Sequence, residues 1–260
     1  MVSPDYLSAW AAGSRAMACE DVMHNDMTLA ARAFPHARLL LDHAAGGQGQ
    51  WIRRNASLYR SGDPVADCVF FIHAGSFKHY RTDETGARKI TCFPARGDFL
   101  ALDSIGLARH ACTAVALEDS EVHAISYAVL RQQLTILHRL LALGIREMRA
   151  STAQLHNATA EQRLAAFLLD RARRHSRLEG TPPRYRLPMS RCDIGNYLHL
   201  SPESVSRAMH QFKQAGLILL ENRYIALLDA SAMETIATAA HPASPHAALP
   251  PLATSHISTS

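Results

Sequence analysis

A chain of 260 residues with 48% hydrophobic and 19% charged content is long enough for two domains of ordinary size, each with its own core. The net charge of +4 is compatible with a nucleic-acid partner without establishing one, and the five cysteines (Cys19, Cys68, Cys92, Cys112, Cys192) include no CxxC pair, which argues against a disulfide framework or a zinc knuckle. No apolar run reaches the roughly 18 residues of a membrane helix, and the N-terminus lacks the basic-then-apolar order of a signal peptide, so a cytoplasmic protein with no membrane partner is expected.

Residues 1–50 form an N-terminal extension, Ala- and His-rich and partly flexible, ending in Gly46-Gly47-Gln48-Gly49; a short helix over Ala30 to His43 is weakly signalled by Leu39, Leu40 and Leu41. From 51 to 126 the texture changes. The runs "CVFFIHAG", "SFKHYRT", "RKITCFP", "CTAVALED" and "SEVHAIS" are divided by turn signals such as Ser61-Gly62-Asp63-Pro64, Asp83-Glu84-Thr85-Gly86 and Arg96-Gly97-Asp98. Short β-rich runs at this spacing predict an antiparallel sandwich or barrel, and the absence of helical patterns between them disfavours a parallel sheet.

Residues 127–157 contain no Pro. Leu134, His138, Leu141, Ile145, Met148, Thr152 and Leu155 recur at alternating steps of four and three, the spacing of a coiled-coil seam. A second apolar stripe (Leu137, Leu140, Ala142) leaves one face for the home domain and one for a twin, so this segment is expected to be a dimerisation helix. After it, Thr159 and Gln162 form a capping box for an amphipathic helix carrying Leu164, Phe167 and Leu168.

The segment from Ser190 carries the strongest signal. Ser190 with Asp193 three residues on is a short-acid capping box, Ile194 and Leu198 give a buried stripe, and Gly195 lets a second helix approach. His199-Leu200 makes a turn, Ser201 caps the next helix, and Pro202 occupies its first position, where a missing N–H costs least. This is a helix-turn-helix over 191–210, and "LILLENRYIALLD" after it reads as two strands joined at Glu221-Asn222-Arg223, the wing of a winged helix. The whole DNA-binding unit spans 158–231, and 232–260 is expected to be a disordered tail.

On the second helix, Glu203 and Arg207 share one face near its N-terminus with Ser206 beside them. In a major groove an Arg donates to guanine O6 and N7, and a Glu accepts from the cytosine amino group. Ser190, Arg191, Ser201, Ser204, Lys213 and Arg223 are candidates for phosphate contact or helix positioning. The ordinary alternative for Glu203 and Arg207 is an i,i+4 surface ion pair.

Asp193-Ile-Gly-Asn-Tyr-Leu through Glu203-Ser-Val-Ser-Arg207, with "AEQRLAAFLL", "RYRLPMSR" and the β-rich region, resembles the Crp/Fnr transcription regulators in their Fnr-like branch, over roughly Leu58 to Leu228. The resemblance implies an α+β architecture: an N-terminal antiparallel β-roll like the cyclic-nucleotide-binding jelly roll, a long dimerisation helix and a C-terminal winged helix-turn-helix. It implies a homodimer on double-stranded DNA, half-sites similar to TTGAT, and contact with RNA polymerase through β-roll loops, from which an activator is expected. His199 departs from the Gly frequent in such turns.

Members that bind cAMP carry Gly-Glu and then Arg-Ser. The counterpart here is Gly97-Asp98, and "LARHACTAV" has no Arg-Ser, leaving Arg109 as the candidate phosphate contact, so cAMP is not expected. Oxygen-sensing members hold a [4Fe–4S] cluster on three N-terminal cysteines and a fourth in the β-roll. Only Cys19 precedes Cys68 here, and His123 stands at the fourth position, too few thiolates for a cubane. With 15 histidines, haem stays open, as do a redox switch at Cys19, Cys92 or Cys112 and the absence of any cofactor. A cupin-like metalloenzyme would need clustered His and Glu ligands, and His73 and His79 do not supply a His-x-His pair. No catalytic residue set and no metal-ligand set is read from the spacing.

Overall fold

The computed structural model describes residues 49–132, 134, 138, 142, 145, 159–179 and 184–239. The N-terminal extension with Cys19 and the short helix expected at 30–43 lie outside them, as do Leu141, Met148, Thr152 and Leu155 of the expected seam.

Eight strands build the first half: β1 (Gln50–Ile52), β2 (Ser57–Tyr59), β3 (Cys68–Ala74), β4 (Phe77–Thr82), β5 (Arg88–Cys92), β6 (Phe99–Leu100), β7 (Thr113–Ala116) and β8 (Ser120–Ser126). They pair antiparallel into two four-stranded sheets, β1-β8-β3-β6 and β2-β7-β4-β5. All five β-rich runs of the sequence are strands, and the turn signals act as expected. The Asp83 side chain accepts from the N–H groups of Thr85 and Ala87, and Gly86 takes φ +83°.

Between the sheets lie Ile52, Tyr59, Ile72, Phe77, Leu100, Ala114, Ala116 and Val122. The first sheet is covered on its other face too, where Val69, Phe71 and Ile125 pack on Leu130 of helix α1 (Tyr127–Gln132). That double burial explains why "CVFFIHAG" is apolar without alternation. Residues 134, 138, 142 and 145 are also helical, and Leu134, His138 and Ile145 of the expected seam are exposed, Leu134 at 57% and Ile145 at 54%.

The second half comprises α2 (Ala160–Glu179), β9 (Arg184–Arg186), α3 (Arg191–Leu198), α4 (Pro202–Gln214), β10 (Ile218–Glu221), β11 (Tyr224–Leu227) and α5 (Ala230–Thr238). Thr159 and Gln162 form the expected reciprocal cap at 3.2 and 2.7 Å. The wing is a three-stranded sheet, β10-β11-β9, in which β9 is a strand the sequence pattern does not announce.

One expectation is corrected. A disordered tail from residue 232 is wrong at its start: Asp229 caps α5 by accepting from Ala232 N–H at 2.8 Å, and Met233 is fully buried. The β-roll keeps its own core between the sheets, while the core of the second half reaches onto the roll's outer face. Tyr80, Ile90, Phe93 and Leu117 on the outer side of the second sheet join Leu164, Phe167, Leu168 and the helix-turn-helix in one core. Phe93 lies edge-on to Phe167 and Tyr197, with ring centroids 6.0 and 5.3 Å away. A sheet with an apolar outer face must bury it, and here α2 and α3 are the cover.

Polar contacts fix this docking. The Asn196 side-chain amide completes the β5 edge, accepting from Ile90 N–H at 2.7 Å and donating to Arg88 C=O at 2.8 Å. Lys78 of β4 pairs with Asp193 of α3 at 2.8 Å. Arg171 donates to Phe93 C=O at 2.8 Å, and Arg174 pairs with Asp98 at 3.3 Å.

Candidate nucleic-acid interface

The helix-turn-helix is assembled by the caps its sequence encodes. Ser190 Oγ accepts from Asp193 N–H at 3.0 Å while the Asp193 carboxylate accepts from Ser190 N–H at 3.2 Å, a complete capping box. Burial alone would raise the Asp193 carboxyl. Hydrogen bonds from Lys78 and Ser190 and the Lys78 charge hold it below its ordinary value. It therefore stays ionised and pins α3 to the β-roll.

The turn rests on two residues. His199 takes the left-handed conformation, φ 55° and ψ 47°, and Leu200 N–H closes on Gly195 C=O at 2.8 Å. Histidine tolerates that region better than most non-glycine residues. A Cβ on Gly195 would stand 2.6 Å from Leu200 O, so α4 can follow this closely only because the side chain is missing. Gly195→Ala is expected to push the turn outward and cost about 1–3 kcal/mol. Chemical denaturation should read that loss, together with weaker DNA binding.

In α4, Ser201 Oγ accepts from Ser204 N–H at 3.1 Å and Pro202 stands in the first turn. Val205, Ala208, Met209 and Phe212 are buried, which turns Glu203, Ser206 and Arg207 outward together. Glu203 is held below the ordinary carboxylate range by its own N–H and the Ser201 hydroxyl, so it presents an acceptor. Among the described residues no ion pair joins Glu203 to Arg207. His210 and Gln211, exposed one turn further along the same side, extend the face beyond what the sequence reading singled out, although helical spacing from Glu203 and Arg207 points to them.

The candidate positioning residues divide. Ser190 and Ser201 are helix caps, Ser204 accepts from the Ser201 hydroxyl at 3.1 Å, and Arg191 is half-buried. Lys213 is exposed at the end of α4. Arg223, at the two-residue wing turn after Asn222 (φ 53°), donates to Pro188 C=O at 3.0 Å. Arg186 of β9 pairs with Glu118 at 2.6 Å. Arg184 lies over the Tyr224 ring at 5.1 Å.

The groups that the family resemblance implies for the β-roll do not fit these residues. Arg109 donates to Gly62 C=O at 2.7 Å, and Asp98 accepts from Ala95 N–H and pairs with Arg174, so both candidate nucleotide contacts are engaged within the chain. At the fourth cluster position, His123 stands 3.3 Å from Glu121 and 5.3 Å from the His73 ring. A cubane needs four thiolates or near equivalents, and no cysteine stands there.

Two family models match the chain: the Crp-like helix-turn-helix domain over residues 162–236 and the cyclic nucleotide-binding domain over residues 50–136. The chain is 33% identical over 196 residues to the fumarate and nitrate reduction regulatory protein of Salmonella typhimurium, covering 72% of this chain and 77% of that one. It is 33% identical to the anaerobic regulatory protein of Pasteurella multocida, over 70% and 69% of the two chains. Among solved structures it is similar to FixK2 from Bradyrhizobium japonicum, with a TM-score of 0.66, 28% identity and coverage of 75% of this chain and 98% of that one.

Proposed function

The chain belongs to the Crp/Fnr family of transcription regulators, and on that premise we propose that it is a homodimeric activator that reads the palindrome TTGAT-N4-ATCAA. The observation that carries this reading is the outward face of α4. Arg207 donates to guanine O6 and N7, Glu203 accepts from the amino group of the paired cytosine, and Ser206 contacts a neighbouring base edge or phosphate. Arg191, Ser204, Lys213 and Arg223 contact the sugar-phosphate backbone, and the Ser190 and Ser201 caps orient the two helices. On this reading the chain acts by binding. Among the described residues no helix is long and apolar enough to cross a membrane.

Two copies are needed because the palindrome has two half-sites about one helical turn apart. Among the described residues, the exposed Leu134, His138 and Ile145 supply the shared face. Replacing Leu134 and Ile145 together by Glu is expected to yield a monomer in sedimentation equilibrium. An unchanged dimer mass would contradict the seam.

The activator reading is tested by transcription in vitro with RNA polymerase and a template carrying the palindrome upstream of a weak promoter. More transcript with the protein than without it supports activation. Less transcript makes the protein a repressor.

A further inference from the structure

Inside the β-roll, three side chains with metal-ligand chemistry converge, although they come from separate segments whose spacing shows no motif. His79 lies on β4, Cys112 directly precedes β7, and Asp103 stands in the 3-10 turn Leu102–Ser104. One ligand atom from each lies within 4.8 Å of the other two. The sheet explains the meeting. His79 is directly opposite Ala114 on β7, and Cys112, two residues before Ala114, projects to the same face. On its other side His79 is opposite Cys92 of β5.

His79 is prepared as a ligand. Its side chain is 91% buried (9% exposed), and its Nε2 has no hydrogen-bond partner. Thr91 Oγ1 lies 3.0 Å from His79 Nδ1 and donates to His79 C=O at 3.1 Å. With Nδ1 engaged there, Nε2 is the ring nitrogen left to face a cation, the arrangement that orients imidazole ligands. The Asp103 carboxylate is 3.8 Å from Nε2, beyond a hydrogen bond but close to the separation of two ligands on one tetrahedral ion. Burial pushes the His79 imidazolium down, favouring the neutral ligand form against the opposing Asp103 charge.

We propose that His79 Nε2, Cys112 Sγ and the Asp103 carboxylate bind one divalent thiophilic cation of the zinc type. Nitrogen, sulfur and oxygen donors in a three-residue set suit Zn2+, with the fourth position taken by water on the solvent side of Asp103. Burial, followed by the Asp103 charge, holds Cys112 as a thiol, with its pKa pushed up to about 12. Binding is therefore an exchange: the cation enters, the Cys112 proton leaves to solvent, and thiolate plus carboxylate neutralise the two positive charges. The resulting site is uncharged, as a buried position requires. It ties the 3-10 turn to β4, where the adjacent Lys78 holds Asp193 of α3.

The test uses the full chain, stripped with a chelator and then titrated with Co2+ and, separately, with Zn2+ against a chromophoric chelator. Expected are one ion per chain, a thiolate-to-cobalt charge-transfer band, and one proton released. Cys112→Ser and His79→Ala should each abolish the band. Because His79 and Cys112 are both buried, Asp103→Asn and Thr91→Val provide a second reading with circular dichroism as the folding check. Thr91→Val removes only the group that orients His79 and should weaken Zn2+ binding by about 10–100-fold. A folded wild-type protein that takes up no ion, or a band that survives Cys112→Ser, overturns the proposal. DNA affinity measured on the same samples keeps this outcome separate from the base-reading assignment.

Discussion

Arg207→Ala is expected to lower affinity for the intact palindrome by about 1–3 kcal/mol per half-site, or about 2–6 kcal/mol for the two-fold complex. The loss should be confined to cognate DNA. Arg207 is exposed on the outward side of α4 while Val205, Ala208 and Met209 lock the opposite side into the core, so its removal leaves the fold intact. On a duplex whose G·C pair is already changed in each half-site, the variant should bind no worse than the wild type, because the hydrogen bonds are gone in both. Lys213→Ala provides the contrast. As a phosphate contact it should weaken binding about uniformly across sequences and lower the salt slope by about 1 per contact. Anisotropy titrations at two salt concentrations distinguish these patterns, and an Arg207 variant that loses affinity equally on both duplexes would make Arg207 a phosphate contact.

Phe167→Ala is expected to cost about 3–5 kcal/mol of stability. The side chain is 2% exposed, its ring lies 5.8 Å from Tyr197 and 6.0 Å from Phe93, and the Arg171 guanidinium stands 5.9 Å from its centroid. Truncation therefore opens a cavity where β-roll, α2 and α3 meet, and no single element can collapse into it without leaving another. The variant should show a lower denaturation midpoint by helix circular dichroism, and greater protease sensitivity between the two halves. A loss below about 1 kcal/mol would mean that the shared core contributes little to joining them.

What the sequence made legible was local. Ser190 with Asp193, Ser201 with Pro202, and Thr159 with Gln162 are caps in which both partners lie within one turn, and each forms as read. Gly195 and His199 were legible because turn geometry makes steric demands that few residues meet. Periodicity likewise separated Glu203, Ser206 and Arg207 from the buried Val205 and Met209.

What it left hidden was what covers each apolar face. Tyr80 and Ile90 read as ordinary strand residues, and nothing near them indicates that α3 will seat Asn196 on the β5 edge or that Lys78 will reach Asp193. Those contacts join residues more than a hundred positions apart, where neither period nor spacing carries information. The convergence of His79, Asp103 and Cys112 is hidden too, because strand pairing and not spacing along the chain brings them together. Helix α5 was missed differently: Met233, Ile236 and Ala237 follow helical spacing behind the Asp229 cap, but the Ala- and Ser-rich composition masked a short pattern.

The central claim is that α4 reads a G·C pair through Arg207 and Glu203. Its most direct test is fluorescence anisotropy of the wild-type protein, purified in air, on a duplex carrying TTGAT-N4-ATCAA and on one with the G·C pair of each half-site changed. Tight binding to the first and a loss of about 1–3 kcal/mol per altered half-site on the second is the predicted result. Equal affinity for both duplexes would contradict it.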